Sequence, residues 1–289
     1  MVPRKRFRLR LPSRTLILGE RTLIMGVLNV TPDSFSDGGK FLDAEKAIEH
    51  ALEMERKGAD ILDIGGESTR PGSTGITAEE ELRRVLPVIQ GLRGRLKIPL
   101  SIDTQKAEVA EAVIAAGAEI LNVIGAVHAE AEIFEIARRR GVATILMHMR
   151  GRPQTMQKGP FAKNVVQDVM TGLRSGITRA RHTGIAKSKI IVDPGIGFGK
   201  RHRQSLELIA RLPELAKLGY PVLVGVSRKA FIGDVLGGVA TEQRGWGTAA
   251  AVAASIFGGA HIVRVHDVDE MKQVARVADR ILALPRKHA

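Results

Sequence analysis

Eight short apolar runs punctuate this chain, and each ends in a polar or charged cluster. They are residues 23–30, 59–66, 98–104, 119–125, 143–149, 189–195, 221–227 and 261–267, with helix-period segments between them. Near-continuous apolar strands alternating with helices indicate a parallel sheet covered on its outside. Eight such units in 289 residues predict an α/β chain closed into a single (β/α)8 TIM barrel, a fold that takes about 250 residues. The expected division is 1–22 as a basic N-terminal arm and short hairpin, and 23–289 as the barrel. Active sites of such barrels lie at the C-terminal ends of the strands. The polar residues that end each run are therefore the site candidates.

Composition narrows the reading. Aromatic residues make up 3% of the chain, so the core must be aliphatic. Cysteine is absent, which excludes disulfides, thiolate metal sites and a cysteine nucleophile, and agrees with a cytoplasmic location. The net charge of +13 raises nucleic-acid binding as a first thought. The basic residues cluster in the arm from Arg4 to Arg14 and from Arg174 to Arg203, with no RNP-like aromatic motif or zinc finger. The expectation is no nucleic-acid partner, and a basic surface that attracts anionic substrates. No membrane segment is expected: Leu16-Ile17-Leu18 is broken by Gly19-Glu20-Arg21, and the Ala/Gly-rich run Thr248–Ala260 is too short to span a bilayer.

Along the chain, a hairpin over 7–22 is expected to turn at Leu18-Gly19-Glu20-Arg21 and close the bottom of the barrel. Helices are expected at about 43–57 with Asp43 as N-cap, from Thr77, after Thr104, from about Ala129, and at about 162–183, 203–218, 242–258 and 268–284. Thr77 and Glu80 have capping-box spacing. Two connections, 31–39 and 67–75, are long and rich in Gly, Pro, Ser and Thr at the strand C-termini, as lids and binding loops are. Phe35 stands alone in the first of them, and an exposed aromatic there needs a partner.

The strand ends supply Asn29, Asp63, Asp103, Asn122, His148, Asp193, Ser227, Lys229, Arg264, His266 and Asp267. Asp103 and Asp193 would meet Asn122 and Lys229 in one narrow mouth, where acids need donors. A planar heterocycle with an N–C–N edge, guanine-like or pterin-like, supplies them. Arg264 and His266 share one strand face. With Asn29 and the Thr69 hydroxyl they form an anion-friendly sector suited to a pyrophosphate and a hydrated Mg²⁺ touching the Asn29 oxygen. The alternative left open is a structural Arg264–Asp267 pair. The run from Asp193 to Lys200 is not a Walker loop, because Arg201 follows Lys200 and the glycine spacing is wrong. Its glycines suit close approach to a flat ligand, with Phe198 as a stacking wall. His128, His148 and His266 lack zincin spacing. With an anion site and no compelled Ser–His–Asp triad, displacement of pyrophosphate by an external nucleophile is expected.

The chain resembles the dihydropteroate synthase family. The resemblance rests on 25–39, on Asp63-Ile-Gly-Gly-Glu-Ser-Thr-Arg-Pro-Gly72, on Ser101-Ile-Asp-Thr104, on Met147-His-Met-Arg-Gly-Arg-Pro153, on 193–200, on Ser227-Arg-Lys229 and on Arg264-Val-His-Asp-Val268. It implies condensation of 6-hydroxymethyl-7,8-dihydropterin diphosphate with p-aminobenzoate by a pterin-binding barrel. It also implies pterin contacts from Asp103, Asn122, Met147, Asp193 and Lys229, and pyrophosphate contacts from Asn29, Thr69, Arg264 and His266, with Mg²⁺ on Asn29. Phe35, Thr69, Arg70, Pro71, Phe198 and Ser227 match the p-aminobenzoate pocket. Asp103, Asp193, Lys229, Arg264 and His266 match the catalytic set. A homodimer is implied, and Ala and Gly between Thr248 and Gly259 allow close helix approach. One departure stands out: the family usually reads Asn-Asp-Ile where this chain has Asn122-Val123-Ile124. A carboxylate is lost there and needs compensation elsewhere. Rival readings are a methyltetrahydrofolate corrinoid methyltransferase, which Ser227-Arg228-Lys229 and Thr69-Arg70-Pro71 oppose, and a non-catalytic pterin-binding paralogue.

Overall fold

The computed structural model describes residues 4–31, 40–68, 73–126, 129–151 and 154–284. All eight apolar runs form strands: β3 (Leu23–Asn29), β4 (Ile61–Gly65), β5 (Leu100–Asp103), β6 (Ile120–Ile124), β7 (Ala143–Met147), β8 (Ile190–Asp193), β9 (Leu223–Gly225) and β10 (Ile262–Val265). They pair in parallel in the order β8-β7-β6-β5-β4-β3-β10-β9. A parallel bridge between Val192 and Val222 brings the two outer strands together and closes the barrel. The Val192 amide reinforces this seam by donating to Pro221 O at 3.0 Å.

Two apolar layers follow from the period-2 alternation of strand side chains. Outward-facing residues such as Leu62, Ile64, Ile102, Leu121 and Val123 pack under the helices in one large cluster. Inward-facing residues at the strand starts, including Met25, Ile61, Ile120, Ile145 and Ile191, form a second cluster inside the barrel. Leu9, Leu11 and Leu18 of the N-terminal hairpin, β1 (Phe7–Arg10) and β2 (Thr15–Leu18), join this inner cluster. The hairpin therefore plugs the bottom, and polar chemistry is left to the other end. Its turn differs from the expected one. The Leu11 amide bonds Arg14 O at 2.8 Å, so the chain reverses over 11–14, and 18–21 instead lead into β3.

The helices are α1 (Lys40–Lys57), α2 (Ala78–Leu92), α3 (Ala107–Ala116), α4 (Ala131–Arg140), α5 (Val165–His182), α6 (His202–Ala210), α7 (Ala230–Val235), α8 (Gly245–Phe257) and α9 (Val268–Leu282). Helix α1 starts three residues before Asp43. Thr77 caps α2 by accepting from the Glu80 amide at 3.2 Å, but the Glu80 carboxylate pairs with Arg84 at 2.8 Å. Only half of the expected capping box forms. The helix expected over 203–218 stops at Ala210 and continues as a 3-10 turn over 212–218, because Pro213 cannot donate to an α-helical ladder. The short α7 was not expected. Among the described residues no helix is long and apolar enough to cross a membrane.

Candidate active site

The C-terminal mouth collects the polar strand ends. Asp63 lies two residues below the end of β4 and is fully buried. Its Oδ2 accepts from Arg264 Nε at 2.6 Å and from Asn122 Nδ2 at 3.1 Å. Arg264 Nη2 reaches on toward Asp103 Oδ2 at 3.4 Å. The Arg264–Asp267 pair is therefore not the one that forms. Asp267 takes the guanidinium of Arg228 instead, with Arg228 Nε at 3.0 Å. Burial pushes Asp103 up to about 8, against the pull of Arg264, and neighbouring Asp63 adds to the rise.

Asp193, at the end of β8, is buried and accepts from the Gly195 amide at 2.7 Å. Burial raises its pKa, while Lys229 opposes that rise. Lys229 follows β9 and donates to Ile196 O. Its ammonium lies 4.6 Å from the centre of the Phe198 ring. Burial lowers Lys229 to about 8, offset in part by Asp193. Phe198 packs against Ile124, Met147, Met149 and Met156, so Met147 and Phe198 belong to one apolar wall beside the acids.

Across the mouth, His266 follows β10. The Ser227 hydroxyl accepts from the His266 amide at 3.2 Å and lies 3.0 Å from Nδ1. Asn29 ends β3 opposite Gly65. A Cβ on Gly65 would stand 3.8 Å from Asn29 Oδ1 and 3.7 Å from the Asp103 Cβ, so glycine keeps the space over that oxygen open. Phe35, Thr69, Arg70 and Pro71 lie outside the described residues. The start of their second loop is anchored: Lys106 bridges Glu67 and Glu81, and Arg84 Nη1 donates to Gly66 O at 3.0 Å.

Sequence reasoning gave no role to two residues that organise this mouth. One is Asp63. The other is Lys200, buried at 2% exposure, which donates to Gly195 O at 2.8 Å and Phe198 O at 2.9 Å and sits 3.1 Å from His148 Nδ1. Asp63 had a signal, since it shares the inward phase of β4 with Ile61 and Gly65. Lys200 had none, because nothing local tells a lysine after three glycines to fold inward. The departure at Val123 is also resolved. Val123 is buried in the outer apolar layer, and the corner after β6 is held from α5 by Arg179, which donates to Ala126 O at 3.1 Å and to Ala129 O.

The mouth of the parallel barrel thus sets acids and a lysine beside an arginine and a histidine. The family model described as "Pterin binding enzyme" matches residues 25–266, and the chain belongs to this family. Within it the chain falls among the dihydropteroate synthases. It is 48% identical over 263 residues to the dihydropteroate synthase of Synechocystis sp., covering 91% of each chain. The dihydropteroate synthase of Xanthomonas albilineans, solved with 4-aminobenzoic acid, aligns with a TM-score of 0.90 at 43% identity over 97% of this chain and 100% of that one. The same enzyme in complex with 7,8-dihydropteroate aligns with a TM-score of 0.87 at 41% identity, covering 96% and 100%.

Proposed function

We infer that this protein condenses 6-hydroxymethyl-7,8-dihydropterin diphosphate with p-aminobenzoate, giving 7,8-dihydropteroate and pyrophosphate in folate synthesis. The observation that carries this reading is the pairing of Asp103, Asn122, Asp193 and Lys229 with Arg264 and His266 across one barrel mouth, in a chain of this family. The carboxylates of Asp103 and Asp193 take the N–H edge of the pterin, and Lys229 serves a ring oxygen or nitrogen. The Met147–Phe198 wall supports the flat ring. As the C–O bond to the diphosphate breaks, the departing oxygen takes the bonding electrons and Arg264 and His266 stabilise the growing negative charge. The two aspartates favour the ring-stabilised cation left behind. The amine of p-aminobenzoate forms the new C–N bond at that carbon and gives up one proton to solvent. Phe35, Thr69, Arg70, Pro71, Phe198 and Ser227 are proposed to hold the aminobenzoate.

Mg²⁺ fits this site as a cation that arrives with the diphosphate. Among the described residues no group of three His, Asp or Glu could hold a metal alone. A single amide oxygen, that of Asn29 over the open space at Gly65, suits an ion that keeps its waters and takes further ligands from phosphate. When bound it neutralises charge on the leaving group. Two copies of the chain are proposed to pair through α8, whose outer face presents Trp246, 90% exposed, with the small exposed Ala250 and Ala254 one and two turns on. A cytoplasmic location completes the proposal. Steady-state pyrophosphate release with both substrates tests the reaction: release that depends on p-aminobenzoate supports it, and release without that dependence rejects it.

A further inference from the structure

We propose that Asp63 is a positioning residue for both halves of the site: a single oxygen of its buried carboxylate fixes which atom of the Asn122 amide and which nitrogens of Arg264 face the ligand. This rests on the function proposed above and adds a residue to it. The argument begins with depth. Asp63 pairs in register with Ser101, whereas Gly65 and Asp103 pair one step nearer the mouth. With a side chain at 0% exposure, Asp63 sits beneath the ligand and acts through its neighbours.

An ionised carboxylate only accepts hydrogen bonds. The amide of Asn122 must therefore turn its NH2 toward Asp63, where Nδ2 lies 3.1 Å from Oδ2. The other end of that amide, Oδ1, is buried with no partner. It is left as an acceptor for an N–H of the ring. The same Asp63 oxygen takes Arg264 Nε at 2.6 Å. With Nε occupied, the guanidinium plane is set and its two terminal nitrogens are directed elsewhere, one of them 3.4 Å from Asp103. A planar fork held at Nε offers the paired donors that suit an anion with several oxygens. Asp63 thus sets the acceptor of the pterin half and the donors of the pyrophosphate half together. Its own second oxygen, Oδ1, is also buried without a partner, so its burial is costly and unexplained by stability alone.

The test uses two variants and one measurement on the unaltered protein. Asp63→Leu removes the acceptor at similar volume, and Asp63→Asn keeps an oxygen that can stand in the same place. Calorimetry follows 6-hydroxymethylpterin and Mg²⁺-pyrophosphate separately. Asp63→Leu is expected to weaken both by about tenfold or more, and Asp63→Asn to recover both to within about threefold. Unchanged affinities, loss of only one ligand, or Asp63→Asn behaving like Asp63→Leu would each overturn the proposal. Should Asp63→Leu not fold, proton–nitrogen NMR of the wild type decides. The Arg264 Nε–H, assigned by its loss in Arg264→Lys, is expected to exchange slowly with water both before and after pyrophosphate binds. Fast exchange, or loss of the signal on binding, would overturn it. Wild-type turnover is measured alongside. Its absence would reject the function while leaving the binding and NMR results to judge Asp63.

Discussion

Asp193 is buried and Asp103 and Lys229 are largely enclosed, and this desolvation works against the charge each carries in the proposed pterin site. Asp103 is pushed up to about 8 and Lys229 down to about 8. Pterin affinity should therefore rise as pH climbs toward 8 and Asp103 ionises, then fall above it as Lys229 loses its proton. Titrations between about pH 6 and 9.5 check this, and a flat profile would reject the assignment. Asp103→Asn should weaken the acid limb, leaving the part that Asp193 contributes, and spare the alkaline one. Stability follows with the opposite emphasis. A carboxyl raised from 3.8 to about 8 stabilises the folded state most below 3.8 and loses that contribution as pH rises through 8. The stability margin of wild type over Asp103→Asn should accordingly shrink across that window in urea unfolding. Asp193→Asn exchanges a charge-assisted acceptor for a misdirected donor and should cost about 2–4 kcal/mol of pterin binding, read by calorimetry. These residues were legible in the sequence because each stands at or just beyond the end of an apolar run, at a known face of a known fold. Who pairs with whom was not. Arg264 chose Asp63 over nearby Asp267 because β4 and β10 flank β3 on the barrel's inner side, a relation that chain order does not reveal.

The loop from Gly195 to Lys200 shows what one element asks of its residues. Four consecutive carbonyls are taken by side chains: Gly195 and Phe198 by Lys200, Ile196 by Lys229, and Gly197 by Gln157 at 2.8 Å. Gly195 and Gly199 adopt φ of +61° and +65°, and a Cβ on them would collide with His148 O and Arg150 O. Gly195→Ala should cost about 2–4 kcal/mol of stability in urea unfolding, and a change below about 0.5 kcal/mol would contradict the close approach. Lys200→Met should speed amide exchange across 195–199 and weaken pterin binding through Phe198 and the Asp193 acceptor geometry. The glycines could be read from the sequence as places of close approach, expected toward a flat ligand; the close approach at Gly195 and Gly199 is to the backbone of the β7–α5 segment. The missed helix break belongs to the same scale. Periodicity carried the expected helix through Pro213, where the missing amide hydrogen outweighs the apolar pattern.

At the scale of the molecule, the proposed pyrophosphate contacts Asn29, Arg264 and His266 stand at or just beyond strand ends, while Phe35, Thr69, Arg70 and Pro71 lie in the sequence stretches 31–39 and 67–75. An aminobenzoate has few atoms with which to offset the cost of association unaided. Its binding should require Mg²⁺ and pyrophosphate, or the pterin diphosphate, and Arg264→Ala should weaken it at a distance. Equal p-aminobenzoate affinity with and without pyrophosphate would show two independent pockets. The pairing of subunits is checked by light scattering at micromolar concentration, where a monomer mass would reject it. The barrel itself has one thin join. Seven neighbouring strand pairs are zipped by ladders, but β8 and β9 meet through the Val192–Val222 bridge. Asp193 stands on one lip of that join and Lys229 just beyond the other. A pterin held by both, as proposed, would be a clasp on a hoop, carrying tension across the gap that the backbone leaves lightly stitched. In the proposed complex the substrate would thus help hold shut the barrel that binds it.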